Sequence, residues 1–262
     1  MKRPLPSRRR PPRAIVLRLA AAWLPGLAGL AAAPAERLEY QLAWMGMTVG
    51  SLSVTSAPDG TGGLLRAIRV RSSAWVGHIY PVDTTLQCAI APTPDGPRHT
   101  VVKQVSENAF VQHDTLTLWP DSGRAVWSEA VAQTCTTSSL PRGTRDVVSF
   151  FFDLRDTMGQ GTIQTGGLYR LAMDGQAHAL EIHAGPAARR TTPFGTLQAV
   201  PLRLVSRSPT LFVRNRPRQI WISLDPPAVL QADVRIAIGT VRARLTEWTR
   251  DGQPVVPGGT TP

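Results

Sequence analysis

Apolar and polar residues alternate along most of this chain with the period of two that marks strands covered on one face. Leu38, Tyr40, Leu42 and Trp44 share one face of a first strand over residues 36–44, and Gly46 and Gly50 punctuate the link to a second over 47–55. Pro58-Asp59-Gly60 with Gly62-Gly63 reads as a turn. Further strands are predicted over 64–73, 78–90, 100–105, 114–119 and 124–130, with Asp121-Ser122-Gly123 as a hairpin turn. Alternation resumes over 168–173, 177–184 and 195–205. Near the end, Ile220, Ile222 and Leu224 alternate with Gln219, Trp221 and Ser223. Asp225-Pro226-Pro227 cannot continue a central ladder, because proline donates no hydrogen bond. Val241, Ala243 and Leu245 then alternate with Arg242 and Arg244. This pair of strands around a proline-marked bend is expected to form the C-terminal edge of a curved antiparallel sheet.

The period changes once. Thr144-Arg145-Asp146 can cap a helix, Val147, Phe150, Phe151 and Leu154 recur at helical spacing, and Gly159 and Gly161 end it. A short helix so rich in large apolar residues must lie against the sheet. The fold class is mainly β: a strongly curved antiparallel sheet, or an open half barrel, with one short helix packed against it. Residues 36–249 form one domain, and 250–262, rich in Gly, Pro and Thr, form a flexible tail.

Composition agrees with a buried core: 42% of residues are hydrophobic and 18% charged. The net charge of +11 comes mainly from one place. Residues 1–35 carry seven basic groups and no acidic one; the remaining 22 basic and 18 acidic residues give +4. Nucleic-acid binding loses its support by that count. A basic region to Arg18, an apolar stretch from Leu19 to Leu30 and an Ala33-Pro34-Ala35 site read as a secretory signal, cleaved before Glu36. The expected compartment is the periplasm, with Sec and twin-arginine export both open. An uncleaved anchor is the alternative, against which the stretch is short and broken by Pro25-Gly26. No later segment is long and apolar enough to span a bilayer.

Cys88 and Cys135 are the only cysteines, and in an oxidising compartment they invite a disulfide. Closing that loop of about 48 residues would stabilise the fold by roughly 4 kcal/mol; two buried thiols are the alternative. No metal site or cofactor is expected. His178 and His183, five apart on a strand, point to opposite faces. No nucleophile elbow, zinc-protease, phosphate-loop or dinucleotide pattern occurs. Ser223 and Asp225 share a strand face, but Asp225 is expected to accept turn hydrogen bonds before Pro226. The aromatic residues Trp44, Trp75, Tyr80, Phe150, Phe151, Tyr169 and Trp221 are read either as core or as the lining of a cavity for an apolar ligand. Trp221 lies opposite Ile220 and Ile222 on a strand that is then apolar on both faces, so it is placed on the concave side beneath the helix.

With these residues laid out, the chain resembles the domain-of-unknown-function 3108 family of exported bacterial proteins. The resemblance rests on five segments: Trp44 to Ser51, Asp146 to Arg155, Thr192 to Ala199, Ile220 to Asp225, and Ile238 to Leu245. Together they cover nearly all of 37–248 in order. The chain departs after Asp225, where the family tends to have a basic residue and Pro-Val and this sequence has Pro226-Pro227-Ala228-Val229-Leu230. The closing strands also resemble, at the level of fold, periplasmic lipoprotein carriers in which a curved sheet and a helix enclose a greasy cavity. The family has no established activity to carry over; with the aromatic residues above, the expected function is an exported, non-catalytic binding or carrier module for an apolar, lipid-like ligand. A structural or protein-interaction component of the envelope is the alternative, and a hydrolase with an unrecognised site the third.

Overall fold

The computed structural model describes residues 35–161, 165–208, 211 and 216–255. The export segment, but for Ala35, and the tail beyond Val255 lie outside the described residues. Strand β1 (Glu36–Trp44) opens the domain, followed by β2 (Met47–Pro58), β3 (Leu64–Ser72), a single helical turn α1 (Ala74–Gly77), β4 (Val82–Ala91), β5 (Arg98–Glu107), β6 (Phe110–Trp119), β7 (Arg124–Glu129) and β8 (Thr134–Ser139). The two-residue β9 (Arg145–Asp146) leads into helix α2 (Val147–Gly159). After it come β10 (Gly167–Met173), β11 (Gln176–Ala184), β12 (Ala188–Thr192), β13 (Gly195–Ser206), β14 (Arg216–Ser223), β15 (Val229–Ile236), β16 (Gly239–Arg250) and β17 (Gln253–Pro254).

All of these strands join one sheet, antiparallel throughout except for the short parallel contact of β9 with β10. From β1 to β8 each strand pairs with the next, a meander whose β3–β4 link carries α1. The second half continues from the other side of β1, in the order β16, β15, β14, β13, β11, β10, β9. Strands β14–β16 are therefore central and not an edge, because β1 seals β16 along its length from Glu36↔Arg250 to Trp44↔Val241. The Asp225-Pro226-Pro227 bend joins β14 to β15, a strand the alternation did not separate. It is Ser223, and not Asp225, that satisfies this bend: its hydroxyl donates to Pro226 O at 2.6 Å and accepts from Ala228 N at 3.0 Å. Strand β17 folds back on the end of β16 and carries the paired structure to Pro254, past the expected boundary at 249.

The sheet curls around α2, which touches β3, β4, β10 and β14. Its inward side chains Val148, Phe150, Phe152, Leu154 and Met158 are buried, each large one contributing about 1.5–3 kcal/mol relative to exposure. They meet Leu38, Tyr40 and Val54 from the first half of the sheet and Leu202, Ile222 and Leu245 from the second in one core. Arg66 and Arg155 stack on the Phe152 ring at 4.4 and 5.2 Å. Arg155 also pairs with Glu36, which accepts from Trp248 Nε1 at 3.1 Å, tying the helix to both strands at one end of the β1–β16 pair. The helix stops against the proline bend: a side chain at Gly159 would meet the Pro227 ring at 2.9 Å. Where the sheet comes round on itself, its edges overlap instead of pairing. The turn between β10 and β11 reaches β5, with Lys103 Nζ 2.9 Å from Asp174 Oδ1.

Candidate functional site

The N-terminus of α2 is anchored in a buried polar cluster. Asp146 caps the helix, its Oδ1 accepting from Ser149 N at 2.8 Å. Its other oxygen lies 2.6 Å from His99 Nδ1 on β5, and Ser149 Oγ stands 3.1 Å from the same nitrogen. Cys88 Sγ on β4 completes the group, 3.7 Å from Ser149 Oγ. Burial alone would raise the Asp146 carboxyl, but the bonds from His99 and Ser149 outweigh it and hold it below its ordinary value. An ionised carboxylate only accepts, so His99 Nδ1 carries the proton. Burial, with the Asp146 charge beside it, pushes the Cys88 thiol far up, so it stays protonated. Nucleophilic catalysis needs a base facing the nucleophile; here Ser149 and Asp146 crowd one nitrogen, and Cys88 meets Ser149.

Ligand atoms of Cys88, His99 and Asp146 lie within 4.8 Å of one another, close enough to raise the question of a metal. Two ligands on one tetrahedral zinc stand roughly 3.3 Å apart. His99 and Asp146 are at hydrogen-bond distance instead, and the charge of Arg66 acts on the thiol. The geometry is that of a helix anchor.

Beside this anchor, α2 and β10 enclose a pocket of 240 Å³. Phe150, Leu154, Leu168 and Tyr169 form its apolar wall, with Phe150 and Tyr169 edge to face at 5.8 Å between centroids. Arg145, Asp153 and Arg170 stand at its polar side. Arg145 pairs with Asp153 at 3.0 Å, so among the charged lining residues Arg170, which is exposed, is the one in excess. Burial raises the Asp153 carboxyl despite that pairing.

The seven aromatic residues read as core or as candidate cavity lining occupy three places. Phe150 and Tyr169 line this pocket, and Phe151 packs edge to face on Phe152 at 6.2 Å. Trp44, Trp75 and Tyr80 sit at the far end of the first strands; Trp75 and Tyr80 are exposed. Trp221 is on the outer face. Ile220 and Ile222 point into the core, and Trp221 is covered by the guanidinium of Arg190, 4.4 Å from its ring. Its outer cover is thus an arginine and not the helix.

Cys88 and Cys135 do not pair: both are free, one buried and one exposed. Strands β5, β6 and β7 separate β4 from β8, and at about 4.8 Å per strand the two cysteines stand far beyond the reach of a disulfide.

A second, open groove of 880 Å³ runs across the outer ends of β13–β16. Arg203, Arg216, Arg218, Arg235 and Arg242 line it against one acidic residue, Asp233, which Arg242 holds at 2.8 and 3.0 Å. Alternation along each strand places such arginines on a solvated outer face, and only the pairing of four strands gathers them.

The fold defines a mainly antiparallel, β-barrel-like domain built round one helix. It is similar to the crystal structure of a β-barrel-like protein of domain of unknown function DUF1849 from Brucella abortus, with a TM-score of 0.55 and 13% identity over 82% of this chain and 97% of that one. No family model matches the chain. No curated protein matches it either.

Proposed function

We propose that the protein is exported by its N-terminal segment and serves as a binding or carrier module for an amphiphile with an apolar chain and an anionic head. The observation that carries this reading is the α2–β10 pocket, where an aromatic and aliphatic wall ends at the unbalanced charge of Arg170. Its 240 Å³ falls below the ~300–1,000 Å³ of sites that swallow a whole small ligand, so it takes one end of a chain. Membership of the domain-of-unknown-function 3108 family belongs to the same reading and is carried by the five segments above.

The test is titration with a fluorescent fatty-acid probe. Wild type should bind it, and the corresponding alcohol should compete less well than the acid. Tyr169→Ala should weaken binding, and Arg170→Glu should abolish the preference for the acid. Absence of saturable binding would reject the reading. An envelope protein partner is the second reading, favoured by β8, which among the described residues pairs only with β7.

A further inference from the structure

We propose that the hairpin tips at one end of the sheet form a docking surface for an anionic lipid bilayer. The proposal does not depend on the α2–β10 pocket, which lies elsewhere on the domain.

Twelve large hydrophobic side chains are exposed among the described residues, and eight gather at one end: Met45, Met47, Trp75, Ile79, Tyr80, Phe110, Val111 and Ile238. The topology puts them there. Strands β1, β3 and β5 all finish at this end, so the β1–β2, β3–β4 and β5–β6 connections lie side by side, and the β15–β16 turn joins them because β16 pairs with β1 from Val241 onward. Hydrogen bonds link each connection to the next. Trp44 Nε1 donates to Ile238 O at 3.1 Å, Trp75 Nε1 to Thr48 O at 3.0 Å, and Asn108 N to Pro81 O at 2.8 Å. The rim is therefore one built surface. Isolated exposed apolar residues need no explanation, whereas a contiguous set marks a contact site.

Two details indicate that the apolar tips are not incidental. The β1–β2 turn places Met45 at φ 48 and Gly46 at φ 84. Such a turn favours Asn or Asp at its first position, yet this chain holds a methionine there that is 80% exposed. Before Pro81, Ile79 is 77% exposed in a connection otherwise pinned by its backbone.

Charge decides between occupants. The arginine groove opens beside the Ile238 turn, lined at that end by Arg216, Arg235 and Thr240, and carries five arginines against one aspartate. The carboxylates near the rim are already engaged: Asp83 by Arg69 and Arg71, and Glu107 by Tyr80. Apolar tips with Trp and Tyr beside unneutralised arginine match the headgroup boundary of an anionic leaflet, which takes rings at headgroup depth and pairs phosphate with guanidinium. A protein partner would fit the apolar tips as well, but the excess of arginine over the single aspartate in the adjoining groove favours an anionic surface.

The experiment is co-sedimentation of the purified protein with vesicles of phosphatidylcholine alone and of phosphatidylcholine mixed with phosphatidylglycerol, at low and high salt. Wild type should pellet with the mixed vesicles, less at high salt and little with phosphatidylcholine alone. The double variant Ile79→Asp/Ile238→Asp removes exposed side chains, so it should keep its far-ultraviolet spectrum and lose about tenfold or more in vesicle affinity. Leu64→Asp/Leu65→Asp, at the opposite end of the sheet, should bind as wild type. Brominated lipid should quench a component of the fluorescence that Trp75→Phe lacks. Whatever N-terminus the preparation carries is common to all these proteins. Equal pelleting of the rim variant, indifference to lipid charge, or no wild-type pelleting would each overturn the proposal. A protein complex lost in the rim variant, with no vesicle binding by wild type, would replace the bilayer with a protein.

Discussion

Replacing Asp146 with alanine should destabilise the domain more than any cap substitution on an exposed helix. Two losses combine. The cap bond to Ser149 N at 2.8 Å disappears, at a cost of about 1 kcal/mol. His99, only 5% exposed, then loses the carboxylate that its buried N–H donates to and keeps only Ser149 Oγ, 3.1 Å away; losing a hydrogen bond to a charged group costs about 1–3 kcal/mol more. The sum is about 2–4 kcal/mol, enough to lower a urea midpoint by about 1 M with the slope unchanged. Asp146→Asn, which caps nearly as well and still offers an oxygen to His99, should lose less than half of that. Equilibrium urea unfolding followed by tryptophan fluorescence measures both. An alanine variant within about 0.5 kcal/mol of wild type would refute the view that this cluster anchors α2.

The remaining expectations concern pH, thiols and tryptophans. Asp146 and Glu36 both titrate below their ordinary values, so their contribution is complete above the ordinary carboxyl value of about 4 and is lost as pH falls through the folded-state values; the urea midpoint should hold to pH ~5 and drop below ~4, and Glu36→Gln should blunt the drop. A maleimide should label Cys135 in the folded protein and Cys88 only after unfolding, and finding no free thiol would restore the disulfide. Trp248→Ala should cost about 3–5 kcal/mol, since that ring is 1% exposed; Trp221→Ala, on the outer face under Arg190, should cost about 1–2 kcal/mol.

Strands with a clear apolar face were legible in the sequence, as in β1, where Leu38 and Tyr40 are buried as their spacing implied. The helix was legible too, because Val147, Phe150, Phe151 and Leu154 recur at spacings of three and four, which a period of two does not produce. Strand β8 was not: Thr134–Ser139 carries no apolar alternation, being an exposed edge. Strand β15 was not separated, although Leu230, Ala232 and Val234 alternate with Gln231, Asp233 and Arg235, because the proline bend before it reads as leading straight to the strand of Val241. Trp221 misled in the opposite sense, since an aromatic ring on an outer face can be covered by an arginine from a neighbouring strand. The Cys88–His99–Asp146–Ser149 cluster joins residues 47 to 61 positions apart, a proximity that sequence spacing does not contain. The apolar rim lay in plain view as Met45, Ile79, Phe110 and Ile238, each beside a turn, but only the strand order brings those turns to one end.

The most direct test of the binding reading is native mass spectrometry of the protein isolated gently from an envelope fraction. The account expects a population carrying an added mass that is extracted by organic solvent, runs as an acidic amphiphile, and is lost in Tyr169→Ala while the variant stays folded. Protein that carries no added mass in wild type, and that takes up none when offered a long-chain fatty acid, would contradict it.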